Sequence, residues 1–193
     1  MAEVLTTREQ IIDKAFQLLL QRGLNGFSYR DISEPLGIKN AAIHYHFPNK
    51  MDLVKTLIEE NQQVLRKSTA EFMAYGGSAR QQLEGLFAFT LFQFSHDRPI
   101  CIVGALSIDY EELPEEIKEA NDRFSRDSNK WLTRVLELGR EQGEFSFQGE
   151  PWVKAMSILA TIQGARQMAR VAKVENYLET VFSQIRLDLG ISD

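Results

Sequence analysis

Apolar residues recur every three or four positions along almost the whole chain, and no run alternates apolar with polar residues as a half-buried strand would. Gly and Pro fall at intervals that suit helix ends. A chain patterned this way predicts an all-α fold in which most helices bury one stripe and show the other to solvent. The core can be large, because 44% of the 193 residues are hydrophobic.

The punctuation predicts individual helices. Thr7 with Gln10 three residues on has the form of a capping box, so a first helix is expected over about 7–22, ended by Gly23. Ser28, with Asp31 at its third position, opens a short second helix that Gly37 ends. Asn40 opens a third, running to Phe47. Pro48-Asn49-Lys50 turns into a long fourth helix, expected to reach about Ala74 before Gly76-Gly77. Ser78 caps a helix that is apolar almost all round from Leu86 to Phe94, a pattern that predicts a central, buried element. After a His96-Asp97-Arg98-Pro99 loop come a short apolar helix (about 100–108) and a long one from Pro114 to Gly143. A loop over 144–150 precedes the last two helices, 151–172 and 176–189.

Residues 28–47 carry the functional signal. They read as helix, tight turn, helix, with Gly37 supplying the positive φ that other residues resist. Ile32, Leu36, Ile38, Ile43 and Phe47 fall where the two short helices must pack on each other and on the first helix. This is a helix-turn-helix arrangement. Its second helix is short enough for a major groove about 12 Å wide. With Ile43 and Phe47 turned inward, Lys39, Asn40, Ala41, His44, Tyr45 and His46 are left for the outside. Asn pairs bidentately with adenine and Ala touches a thymine methyl. Ser28, Tyr29 and Arg30 open the second helix, where side chains and backbone N–H groups meet a flanking strand. Lys50 is expected to hold a phosphate at the start of the fourth helix.

Charge gives modest support. Residues 1–50 hold six Lys/Arg and five Asp/Glu, a balance of +1, while the remaining 143 hold 16 and 22, a balance of −6. The head is thus less acidic than the body. Cys101 is the single cysteine, which excludes an internal disulfide framework. It is read as a small buried residue, with a redox sensor as the lesser reading. The Met1-Ala2-Glu3-Val4 start has no signal-peptide pattern and no stretch nears 18 consecutive apolar residues, so a cytoplasmic location without a membrane span is expected. No phosphate loop, metal-ligand spacing or Ser/His/Asp set is found, and no cofactor is expected. His44 and His46 do not share a helix face, which disfavours a metal.

The chain resembles the tetracycline-repressor-like (TetR/AcrR) regulators. The match is carried by Ser28-Tyr29-Arg30-Asp31-Ile32-Ser33, then Leu36-Gly37-Ile38, then Ile43 to Leu53 (Ile-His-Tyr-His-Phe-Pro-Asn-Lys-Met-Asp-Leu). Gly23, Gly26 and Phe27 are similar to the family's exit from its first helix. Two departures stand out: His44 where the family commonly has Tyr, and Pro35 where Ala or Glu is usual.

What the resemblance implies is an N-terminal three-helix helix-turn-helix head (1–50, with 49–74 as connector) and a larger helical ligand-binding and dimerisation body (51–193). It implies a repressor that is released from its duplex DNA operator when a partly apolar small molecule binds the body, and a homodimer formed through the last two helices. Phe87, Phe92, Cys101, Phe124, Trp131 and Gln163 are the candidate effector-lining residues. An all-helical enzyme and a partner-binding module without a DNA role remain open on the residues alone.

Overall fold

Nine α-helices are described, and no strand is found among the described residues, as the periodicity predicts. The computed structural model describes residues 5–74, 77–96, 98–172 and 174–191; within the fourth helix the side chains at 65, 68, 69 and 71–74 are not described. Met1-Ala2-Glu3-Val4, the expected break at Gly76 and the loop residue Asp97 lie outside the described residues.

The helices are α1 (Thr7–Arg22), α2 (Tyr29–Leu36), α3 (Asn40–His46), α4 (Lys50–Ala74), α5 (Ala79–Ser95), α6 (Ile102–Ser107), α7 (Glu115–Glu141), α8 (Pro151–Ala172) and α9 (Tyr177–Asp188), with single 3-10 turns at Leu24–Gly26 and Tyr110–Glu112. The first cap differs from expectation by one residue. Thr6, not Thr7, caps α1, because the Glu9 carboxylate takes both the N–H (2.7 Å) and the hydroxyl (2.8 Å) of Thr6. A carboxylate accepts more strongly than the Gln10 amide would. Ser78 caps α5 as expected, with Gln81 closing the box.

The chain forms two compact units, Met1–Gln63 with Cys101–Phe124, and Val64–Ile100 with Ser125–Asp193. In the first, α1 packs with α2, α3 and α6. Ile11, Ala15, Leu19, Ile32, Ile43 and Leu53 are fully buried there. The returning segment is bonded to the head: Asn25 donates to Asp109 (3.1 Å), Lys55 to Glu116 (2.9 Å) and Gln62 to the Ala120 carbonyl (3.0 Å). No periodicity in the sequence announced that residues 101–124 group with the head.

The second unit is built on α5, α8, α9 and the C-terminal part of α7. Phe87 of α5 stacks flat on Phe182 of α9, with ring centroids 4.4 Å apart. Arg186 grips Glu84 through two hydrogen bonds of 2.7 and 2.6 Å. The Arg186 guanidinium holds the Glu84 carboxyl below the usual carboxylate range. From α8, the buried Arg166 donates to the carbonyls of Arg98, Pro99 and Ile100.

Full burial of α5 is not what the structure shows. Phe87 is buried, but Phe92 is 55% exposed and Leu86, Phe89, Leu91 and Phe94 are half-buried. Thr90 and Gln93 occupy the inner face instead. Thr90 tolerates this because its hydroxyl donates to the Leu86 carbonyl at 2.8 Å. Among the described residues no helix is long and apolar enough to cross a membrane.

Candidate nucleic-acid interface

The interface is set by how α2 and α3 are joined. Asp31 accepts both the N–H (2.9 Å) and the hydroxyl (2.7 Å) of Ser28, fixing the start of α2. The Ser28 hydroxyl, then its backbone N–H, then Arg22 bring the Asp31 carboxyl down to about 2. Gly37 ends α2 in the left-handed region (φ +65°), and the N–H groups of Gly37 and Ile38 return to the carbonyls of Glu34 and Ser33. Pro35 sits in the last turn of α2, so the hydrogen bond it forfeits ends an eight-residue helix rather than breaking a long one. Behind α3, Ile43 and Phe47 are buried.

With that face inward, α3 presents Asn40, Ala41, His44 and Tyr45, all exposed, as two pairs spaced one turn apart. Tyr45 is 84% exposed, and its ring meets His46 edge-on at 5.1 Å. Lys39, at the N-cap position, and Arg30 are also exposed, whereas His46 is half-buried. Arg30 is engaged with Glu34 at 2.6 Å, a pair open to solvent and therefore weak.

Three expected contacts are spent within the head. Lys50 does not reach outward for a phosphate; its ammonium donates to the Leu24 and Phe27 carbonyls, both at 2.5 Å, and lies 4.0 Å from the centre of the Phe27 ring. Burial pushes the Lys50 ammonium down from its ordinary range. The half-buried Tyr29 donates its phenol hydroxyl to the Phe47 carbonyl at 2.8 Å, and burial, then the Asp52 charge, push it up to about 12. Ser28 has both donors on Asp31. For Lys50 and Tyr29 the acceptors are backbone carbonyls at a turn or helix end that needed a donor, and for Ser28 the acceptor is the carboxylate of its own capping box.

Sequence reasoning missed Ser33. It is buried in α2 and its hydroxyl lies 2.5 Å from the Asn40 side-chain oxygen. Only the packed turn brings these two positions together.

The expected effector-lining residues fall apart in the described cavities. Phe92 borders a surface cavity of 370 Å³ with Leu91, Phe94, Val174 and Tyr177. Trp131 borders another, of 330 Å³, with Gln82, Val135 and Leu138. Phe87 is core and Gln163 half-buried on α8, while Cys101 and Phe124 belong to the first unit. Cys101 heads α6, its sulfur accepting the Gly104 N–H at 3.3 Å. Among the described residues no cluster of His, Cys, Asp or Glu has the form of a metal site.

Comparison with known proteins agrees with this layout. The family model described as "Bacterial regulatory proteins, tetR family" matches residues 11–57, and "Tetracyclin repressor-like, C-terminal domain" matches residues 79–185. The HTH-type transcriptional repressor NemR of Escherichia coli (strain K12) is 26% identical over 183 residues, covering 93% of this chain and 92% of that protein. A crystal structure of a TetR-family regulator from Agrobacterium tumefaciens is similar with a TM-score of 0.88 at 30% identity, covering 94% of this chain and 96% of that one. A TetR regulator structure from Legionella pneumophila is similar at 0.85 and 26% identity, covering 97% and 99%.

Proposed function

The chain belongs to the tetR family of bacterial regulatory proteins, and on that premise we propose that it represses transcription as a homodimer whose α3 helices enter successive major grooves of an operator. The observation that carries this reading is the face of α3. Asn40, Ala41, His44 and Tyr45 stand exposed together on a helix whose opposite side is locked by Ile43 and Phe47. Such a face presents hydrogen-bonding and apolar groups without first having to unpack. Arg30 and Lys39 flank it as phosphate contacts, which position but do not specify.

The dimer is proposed to form through α8 and α9. Trp152, Val153, Met156, Met168 and Val171 of α8 and Leu187 of α9 are exposed, a row of large apolar groups that a second copy would cover. A Cβ added to Gly164 would meet nothing within 4 Å, so this stretch of α8 is open to a partner helix. Two heads then bind half-sites about 34 Å apart.

A small molecule that binds the second unit and prefers another head spacing weakens DNA binding by its differential affinity for the two states. Reversing a 1:99 balance takes about 5.5 kcal/mol. On this reading the chain acts by binding, with no catalytic step.

Gel shifts over a salt series test the reading. Tyr45→Ala and Asn40→Ala are expected to cost roughly tenfold each in operator affinity while leaving non-specific retention nearly unchanged. Equal losses on operator and random duplex would overturn it.

A further inference from the structure

Hydrogen bonds made inside the head fix which way two groove-facing side chains can bond. We propose that they preset the bases α3 selects, Asn40 acting as a donor and His44 as an acceptor. The inference rests on the DNA-binding reading above and adds the base chemistry to it.

For Asn40 the deciding observation is a distance. Its side-chain oxygen lies 2.5 Å from the hydroxyl oxygen of Ser33. That is too short for N–H···O, which runs from about 2.7 Å, and falls in the O–H···O range. The Ser33 hydroxyl therefore donates and the Asn40 carbonyl accepts. Ser33 is buried and Asn40 exposed, so the bond is shielded from water on its Ser33 side. The Arg30 carbonyl is the next acceptor, at 3.3 Å, and the hydroxyl has one hydrogen to give. With Oδ1 turned to Ser33, Asn40 shows the groove its amide N–H groups. Ser33 engages one of the two lone pairs of Oδ1 and fixes the direction of the carbonyl, so bidentate pairing with adenine, which needs oxygen and nitrogen side by side, is disfavoured while the amide donors stay available. Donors alone match the O6 and N7 acceptors of guanine.

For His44 the deciding partner is a carbonyl. Nδ1 lies 3.2 Å from the Pro48 oxygen, which can only accept, so in the neutral ring Nδ1 carries the hydrogen. The lone pair is then on Nε2. Tyr29 meets the ring edge-on with centroids 4.8 Å apart, bracing it on another side. An exposed acceptor on this face matches the amino groups of cytosine or adenine. Asn40 and His44 are one helical turn apart, about 6 Å along α3, which sets them over neighbouring base pairs. The half-site is thus expected to hold a guanine and, close by, a cytosine or adenine.

The test is selection of bound duplexes from a random pool with the full-length protein, wild type and variants, beside a gel shift on unselected duplex. Wild type should recover guanine under Asn40. Ser33→Ala frees the amide to turn and should cut the preference for guanine over adenine there by roughly tenfold, while Ser33→Thr, which keeps the hydroxyl, should retain it. His44→Lys replaces an acceptor with a donor and should exchange the cytosine or adenine for guanine or thymine. His44 is exposed, so this arm holds even where a change at buried Ser33 prevents folding. Unchanged base preferences in Ser33→Ala or His44→Lys, with retention on duplex intact, would overturn the assignment alone. A wild-type protein that retains no duplex at low salt would overturn both the assignment and the reading beneath it.

Discussion

At the scale of single residues, the head spends polar side chains on its own backbone. Lys50 gives its ammonium to two carbonyls, so its loss should be felt as instability and not as weaker phosphate contact. Lys50→Met is expected to lower stability by about 1–3 kcal/mol, read from a chemical-denaturation curve, with the slope of DNA affinity against salt unchanged. A slope reduced by about one counterion would mean that the ammonium leaves its carbonyls for DNA. Tyr29 makes a pH-dependent contribution. An unfolded tyrosine ionises near pH ~10, whereas Tyr29 is held up to about 12. Folding thus favours the protonated phenol, whose stabilisation is whole below pH ~10 and is lost as pH climbs toward 12. The alkaline fall in melting temperature should be shallower in Tyr29→Phe, which has nothing to ionise; identical falls would show that the phenol has no such part.

At the scale of elements, what the sequence discloses depends on whether a local rule decides. The limits of α8 and the Ser28–Asp31, Ser78 and Gly37 punctuation are legible because caps and left-handed turns act within four or five residues. The exposed face of α3 is legible because Ile43 and Phe47 fix the inward side. The orientation of α5 is not. A helix that is apolar all round gives no preferred face, and the stacking of Phe87 on Phe182, nearly a hundred residues away, decides it. Ser33's grip on Asn40 is hidden for the same reason: the partner is defined by packing across a turn. Packing across the turn that follows α7 governs Gly139. A Cβ there would lie 2.0 Å from the Phe145 ring, which is buried against the helix. Gly139→Ala should cost about 1–3 kcal/mol through overpacking, seen as a lower urea midpoint, and Phe145→Leu in the same chain should recover part of it. A neutral Gly139→Ala would show that the 144–150 loop moves aside freely.

At the scale of the whole molecule, the proposed assembly turns on the exposed apolar row of α8 and α9. Val171 is 71% exposed and Leu187 68%, large values for residues of this kind. A charge placed among them should prevent pairing without harming the fold of one chain. Met168→Glu with Val171→Glu is expected to sediment as a monomer with wild-type helicity, and to bind its operator at least a hundredfold more weakly because each head must then hold on alone. A dimer that survives both changes would place the pairing surface elsewhere. The order in which the chain returns to its first unit has a consequence for biosynthesis. Cys101–Phe124 belongs with Met1–Gln63, and α6 packs on α1. A ribosome that has released only the helix-turn-helix segment has therefore not yet delivered all the parts of its support. Nascent chains that stall, or are cut, before Phe124 emerges would carry α1 to α3 without the returning segment that packs with them.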